Sequence, residues 1–142
     1  MLWTWTPAAI SPGFVPDLDS RERIDELLAQ FYGRALEDEL LGPVFAGAGL
    51  DLATHLPRIG GFWERSLLGT GSYAGRPMQI HRHLMREFGL TEQHFDRWLQ
   101  LWHTTLAELF SGPGADQAAQ YAVRMAGAML RQGPGENELP LA

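Results

Sequence analysis

The sequence contains no cysteine, and this absence excludes several kinds of site. Disulfides cannot form, and zinc, iron–sulfur and haem sites that use thiolate ligands are ruled out. A transition metal bound by this chain must therefore be held by histidine, carboxylate, tyrosine or methionine side chains.

The chain also lacks a surplus of basic residues and any long apolar run. Only 11 Lys and Arg stand against 17 Asp and Glu, which gives a net charge of −6. We therefore expect no nucleic-acid partner and no anionic membrane surface, since both require a basic footprint. No stretch approaches the ~20 apolar residues of a transmembrane helix, and the N-terminus lacks the features of a secretory signal, so we expect a cytoplasmic protein.

Aromatic residues, by contrast, are plentiful. They make up 11% of the 142 residues, and five of them are Trp. Bulky rings fill large irregular spaces and can line a flat ligand, although composition by itself favours an aromatic core without one. A single domain of this length can bury both a core and a flat cofactor.

Apolar residues recur at helical spacing along most of the chain, and no segment shows the alternation of a strand. The pattern predicts an all-α protein of five or six helices, the clearest at about 20–37, 51–68, 78–88, 92–111 and 115–131. The domain organisation that follows is an irregular arm over 1–18, a helical domain over 19–132 and a flexible tail over 133–142.

Prolines and glycines mark where these helices are expected to break. Gly42 and Pro43 interrupt the apolar pattern after the first helix, and the glycines that follow indicate a loop. Pro57 lies early in the second helix, so either the first turn is irregular or the helix begins at Pro57. Thr91 is the expected N-cap of the long helix that follows Gly89.

Histidines are the main candidate metal ligands in a chain without cysteine. There are five: His55, His81, His83, His94 and His103. None forms the i, i+4 pair of a helical zinc site. However, His55 and His81 lie near the starts of two successive predicted helices, which can sandwich a flat disc with one imidazole on each face. Haem requires this geometry, although most histidines are simply exposed or hydrogen-bonded in the interior.

Tyr32 and Trp98 are candidate donors to a polar ligand. A buried tyrosine needs a hydrogen-bond partner, which a ligand on iron would supply. The alternative for Tyr32 is a place at the core edge with its hydroxyl in water, and the alternative for Trp98 is simple core packing.

Five segments between Ile24 and Met129 together resemble the truncated haemoglobins, and within them group III. They are FY at 31–32, LLGPVF at 40–45, HLPRIGGFW at 55–63, YAGRPMQIH at 73–81 and HFDRWLQLW at 94–102. Each segment alone is weak, but their order and spacing are specific to this group.

The resemblance implies a shortened globin fold in which two helices pack on two around haem b. It implies that His81 is the protein ligand of the iron and that Tyr32, His55 and Trp98 surround the gas on the opposite face. The residues that it places against the cofactor are Phe31, Phe45, Ile59, Phe62, Trp63, Tyr73 and Met78.

The function implied by the resemblance is binding of O2, NO or CO, with tight retention of O2 by Tyr32 and Trp98, in oxygen binding or transport. One alternative is a haem enzyme, either an NO dioxygenase or peroxidase-like, which would need an external reductase because no GxGxxG motif follows a strand. Another is a helical interaction module without haem. Whether His55 gates the pocket or ligates iron stays open, as does the role of Arg76, Arg82 and His83 as propionate partners.

Overall fold

The computed structural model describes residues 15–73, 75 and 85–132, and all regular secondary structure within them is helical. Residues 85–88 form part of a helix. The other helices are α1 (Arg21–Glu37), α2 (Gly42–Gly47), α3 (Leu52–Leu68), α4 (Glu92–Leu109) and α5 (Pro113–Gln132). The all-α prediction is confirmed, while most of the helix predicted at 78–88 and the whole tail lie outside the described residues.

Three helices begin at polar residues that satisfy otherwise unpaired N–H groups of the first turn. The Ser20 hydroxyl accepts a hydrogen bond from the backbone of Arg23 in α1. The Asp51 carboxylate does the same in α3. In α4 the backbone N–H of Thr91 donates to Nδ1 of His94 at 3.1 Å. Thr91 had been expected at this position from the sequence.

Two prolines behave differently from the sequence prediction. Pro43 lies in the first turn of α2, where its missing N–H needs no partner, so Gly42 and Pro43 begin a short helix instead of ending one. Pro113 begins α5 in the same way, two residues before the predicted start. Pro57 lies inside α3, which begins at Leu52 close to the predicted bound, so the alternative start at Pro57 is wrong.

The core lies where α1 packs against α3 and α4, and α5 packs against α4. Its largest fully buried side chains are Trp102, Phe31, Phe110, Leu18, Ile24, Leu27, Leu28, Leu106 and Met129. On α5 the contact surface is small, since Ala115, Ala118, Ala119 and Ala122 are all completely buried. Small residues on this helix let its backbone approach the bulky aromatic side chains of α4.

A polar network fixes α1 against α3. The Arg21 guanidinium donates to the carboxylates of Asp25 and Glu64, both at 2.9 Å, and to the carbonyl of Pro57 at 3.0 Å. Gly60 makes room for this network, because a Cβ there would lie 2.7 Å from Asp25 Oδ1 and 2.8 Å from Arg21 Nη2. The glycine therefore sets the separation of the two helices.

The residues just before α1 belong to the body of the molecule. Leu18 is 1% exposed. The Asp17 carboxylate accepts hydrogen bonds from the backbone N–H groups of Gly114 and Ala115, both at 2.9 Å, at the start of α5. The end of the predicted arm thus ties α5 to α1. None of the helices in the described part of the chain is long and apolar enough to cross a bilayer.

We predict that Asp17→Ala lowers the free energy of unfolding by about 1–2 kcal/mol, because it leaves helix N-terminal N–H groups without their acceptor. Urea denaturation measures the change. The matched control is Asp19→Ala, which removes an exposed ion pair with Arg23 and should cost only about 0.3–0.5 kcal/mol. Equal losses in the two variants would contradict the capping role.

Candidate functional site

The site is built around aromatic rings that α1, α2 and α4 contribute to one cluster. Phe31 lies at its centre, with edge-to-face contacts to Tyr32 at 4.9 Å, Trp102 at 5.1 Å and Trp98 at 6.1 Å between ring centroids. Phe45 of α2 packs edge-on against Tyr32 at 5.8 Å. These distances are typical of favourable aromatic pairs, so the rings position one another.

Three indoles form a column between α3 and α4. Trp98 and Trp102 are stacked at 5.9 Å with 10° between their planes, and Trp102 and Trp63 at 4.7 Å with 23°. The Trp102 indole N–H donates to the carbonyl of Ala118 at 3.3 Å, which ties the column to α5. One end of the column therefore faces Phe31 and Tyr32, and the other reaches α3 and α5.

A cavity of about 60 Å³ adjoins the first end of this column. It is larger than the ~10–15 Å³ that a single water needs, and its wall is mostly apolar. The residues that line it are Tyr32, Leu41, Val44, Phe45, Leu90, His94, Phe95, Trp98, Met125, Ala126 and Met129. Within the described ranges, neither the Tyr32 hydroxyl nor the Trp98 indole N–H has a hydrogen-bond partner. Two polar donors thus lie in an apolar wall, which is the arrangement that a small polar ligand requires.

Burial raises the pKa of the Tyr32 phenol well above its ordinary value. The cause is desolvation, which disfavours the phenolate. Tyr32 therefore stays protonated and remains a hydrogen-bond donor over the whole physiological pH range.

The turn from α1 to α2 is held by Asp38. Its carboxylate accepts hydrogen bonds from Arg97 of α4 at 2.6 Å and from the backbone N–H groups of Leu40 and Leu41. Burial alone would raise the pKa of Asp38, but these hydrogen bonds outweigh it and hold the pKa below its usual value. The ion pair fixes α2, which carries Phe45, against the helix that carries Trp98.

The structure brings several of the predicted site residues together. Tyr32, Trp98 and Phe45 line one cavity, and Phe31 packs directly behind them. On α3, Ile59 and Phe62 pack against the core, Trp63 is buried, and the Tyr73 ring lies 5.7 Å from that of Phe62. The rings of Phe62 and Trp63 are also in contact.

Other predicted site residues do not meet the cavity or cannot be placed. His55 is half-buried in the first turn of α3 and is not among the residues that line the cavity. His81 and Met78 lie outside the described residues, as do Arg76, Arg82 and His83. Their roles stay predictions.

Sequence reasoning missed part of the cavity wall. His94 caps α4 with one ring nitrogen and also lines the cavity. Phe95, Met125 and Met129 complete the wall, although the sequence indicates only that they lie on the apolar faces of their helices. The one available signal for His94 was its position three residues after the N-cap Thr91, where a capping box places its second side chain.

A family model for bacterial-like globins matches residues 17–131. The chain belongs to this family. It is 33% identical over 91 residues to the group 3 truncated hemoglobin ctb of Campylobacter jejuni, a match that covers 61% of this chain and 69% of that protein. It is 32% identical over 87 residues to the group 1 truncated hemoglobin GlbN of Synechocystis, covering 61% and 68%.

Solved structures support the same assignment. The crystal structure of a group III truncated hemoglobin from Campylobacter jejuni aligns with a TM-score of 0.73 at 27% identity, covering 85% of this chain and 95% of that one. The 2/2 hemoglobin of Synechococcus, in a cyanomet state with covalently attached heme, aligns with a TM-score of 0.69 at 26% identity, covering 80% and 94%. The predicted resemblance to group III and the shortened globin fold are both confirmed.

As a globin, the chain binds haem, and the described residues fit this cofactor. The aromatic wall suits a flat macrocycle, and the donors at Tyr32 and Trp98 suit a small ligand beside it. Within the described ranges no group of three histidines or carboxylates could hold a bare metal ion. A haem iron needs no such group, because the porphyrin supplies four of its ligands.

We predict that the Tyr32 phenol does not ionise as the pH passes about 10, the ordinary tyrosine value. The unfolded chain does ionise there, so stability associated with Tyr32 is fully present below about pH 10 and is lost as the pH rises further. NMR titration of protein labelled with ¹³C at tyrosine Cζ measures this, with Tyr32→Phe to assign the signal. A Tyr32 signal that titrates at the ordinary value would place the hydroxyl in water.

Proposed function

We propose that this globin binds haem b through His81 and retains O2 on the opposite face by hydrogen bonds from Tyr32 and Trp98. Haem, when bound, supplies the ferrous iron at which a diatomic gas coordinates. The observation that carries the proposal is the cavity in which two donors, without partners in the described part of the chain, lie in an apolar wall.

The two donors act differently. The Tyr32 hydroxyl can rotate and, because burial raises its pKa, it keeps its proton to donate. Trp98 is held at a fixed angle by stacking on Trp102, so its N–H direction is set before a ligand arrives. Each hydrogen bond to a partly negative ligand contributes about 1.5–3 kcal/mol, which corresponds to one or two powers of ten in affinity.

Phe45, Ile59, Phe62, Trp63 and Tyr73, together with Phe31 and Met78, are the proposed cofactor contacts. The described members of this set lie on α1, α2 and α3 and on the residues just after α3, and they pack against the core or against one another. Within the proposed globin domain, 19–132, they exclude water from the ligand. The tail over 133–142 is proposed to lie outside that domain, whereas Asp17 and Leu18, at the end of the predicted arm 1–18, pack against it.

His55 is proposed to control access of the gas to the cavity. It lies in the first turn of α3 and is half-buried. A side chain at the start of this helix can change rotamer at lower cost than one in the buried core. Slow release of O2 suits storage or redox chemistry on the ligand better than delivery, and sustained turnover of that kind requires an external reductase.

We predict that Tyr32→Phe and Trp98→Phe each raise the O2 dissociation rate by about one to two powers of ten, because each removes one donor but keeps an aromatic ring. Stopped-flow replacement of O2 by CO measures the rate. The control is Tyr121→Phe, which removes a phenol that does not line the cavity and should leave the rate unchanged. Unchanged O2 dissociation rates in both Tyr32→Phe and Trp98→Phe would contradict the donor role.

We predict that His81→Ala loses the Soret band of five- or six-coordinate haem, and that added imidazole restores it by taking the place of the missing ring. Absorption spectra of the ferric, ferrous and CO forms provide the measurement, with His83→Ala as the control. A His81→Ala spectrum identical to that of the wild type would assign the iron to another ligand. Wild-type protein without any Soret band after addition of haem would favour the helical interaction module.

A further inference from the structure

We propose that the column of Trp98, Trp102 and Trp63 carries electrons from Tyr121, at the surface, to the haem pocket when a hydroperoxide is reduced there. The proposal rests on the proposed function in one respect, namely that haem lies beside Trp98. It adds a second position, Tyr121, at which small phenols or similar donors in solution deliver electrons to the protein.

The path is continuous in the structure. From Trp98, which lines the cavity, the column runs through Trp102 to Trp63 with nearly parallel rings. The next ring is Tyr121 of α5, 5.7 Å from Trp63 in an edge-on contact. Electron transfer rates fall steeply with distance, so a series of short steps between rings in contact is far faster than one long step across the protein.

The column is also the part of the chain that is easiest to oxidise. Tryptophan and tyrosine lose an electron more readily than other side chains apart from cysteine, which is absent. Trp102 is 1% exposed and Trp63 is 3% exposed, so water does not intercept an electron vacancy on either ring. The Trp102 N–H donates to the Ala118 carbonyl, which is too weak a base to take its proton. An oxidised Trp102 therefore stays a radical cation. Because a buried positive charge is costly, Trp102 readily takes an electron from the next ring, Trp63.

Tyr121 is the end of the path because of its exposure. Tyr121 is partly accessible to solvent, and the proposal requires its phenolic proton to pass to water when the electron leaves. Tyr32 is nearer the cavity, but burial raises its pKa and within the described residues nothing accepts its proton. Tyr73 is insulated from the column by Phe62, whose ring contacts both and is not oxidisable under these conditions.

The electron balance is that of a peroxidase reaction. A hydroperoxide takes up two electrons and two protons, its O–O bond breaks, and an alcohol and water are formed. The electrons pass along the column one at a time. When an electron is withdrawn from Tyr121, its phenol loses a proton to water and becomes a neutral tyrosyl radical. A phenol in solution then restores Tyr121 by giving up one electron and one proton. Two phenols are thus converted to two phenoxyl radicals for each hydroperoxide reduced.

The direction of transfer follows from the same chemistry. An indole gives up its electron only to a strong oxidant, which a hydroperoxide at haem provides. An external reductase that reduces ferric iron would not use this path, because neither partner in that reaction can oxidise Trp102.

The experiment locates the protein radical that forms after treatment with peroxide. Ferric, haem-loaded protein is treated with hydrogen peroxide in the presence of the spin trap 2-methyl-2-nitrosopropane, and the trapped residue is located by peptide mass spectrometry. We expect the adduct at Tyr121 in the wild type. Trp102→Phe should abolish this adduct, because phenylalanine is not oxidised, whereas Phe110→Leu, which shrinks a buried ring outside the column, should retain it. Tyr121→Phe should move the oxidation products back to the indoles of the column.

The Phe110→Leu control separates electron transfer from packing, since both substitutions shrink a buried ring but only Trp102→Phe interrupts the column. Each variant is checked by circular dichroism and by its Soret band, which should match those of the wild type. No Tyr121 adduct in the wild type would overturn the proposal, as would an adduct that persists in Trp102→Phe or an equal loss in Phe110→Leu. A normal Soret band with any of these results refutes the relay alone, whereas a missing Soret band in the wild type refutes the proposed function.

Discussion

Aromatic packing at the junction of α1, α3 and α4 is the interaction on which the rest of the structure depends. Phe31 and Trp102 are almost completely buried and contact each other edge-on, while Trp63 stacks on Trp102 from the opposite helix. Burial of each such ring stabilises the fold by several times the contribution of a surface ion pair. These contacts also hold the rings that line the cavity, so stability and site geometry have the same origin.

Polar contacts act at the edges of this core, where they set the spacing and direction of the helices. Arg21 bridges α1 and α3 across the bare backbone of Gly60, and Asp38 joins the α1–α2 turn to Arg97 of α4. Asp17 ties α5 to the segment before α1. The three contacts join elements distant in the chain, and together they limit the relative movement of the helices around the cavity.

The cavity and the stacked indoles share one side chain, Trp98. The donors at Tyr32 and Trp98 lie in the cavity wall, and the indole of Trp98 also begins the stacked column that leads to α3 and α5. Trp98 is therefore both a proposed donor to the ligand and the first ring of the proposed electron path. Rigidity serves both roles, because a hydrogen bond and an electron transfer step each depend on fixed distances.

Prediction from the sequence succeeded where the signal is local. Helix periodicity and the N-cap at Thr91 depend on residues a few positions apart, and the structure confirms them. The prolines were harder, because Pro43 is accepted in the first turn of a helix, where its missing N–H needs no partner, and Pro57 is tolerated inside α3, so neither ends a helix. The cavity residues Tyr32, Phe45 and Trp98 were found through five spaced segments rather than through periodicity, which cannot separate ligand contacts from core.

The sequence by itself determined the helical class, the starts of α1, α3 and α4, the absence of thiolate chemistry and the likeness to group III truncated haemoglobins, since all of these reside in composition and in short spacings. Only the tertiary structure decided that His94, Met125 and Met129 complete the cavity wall, that Asp17 caps a helix almost a hundred residues away, and that three indoles stack. Those facts depend on the angles and distances between helices, which result from the packing of the whole core and are not encoded in any one segment.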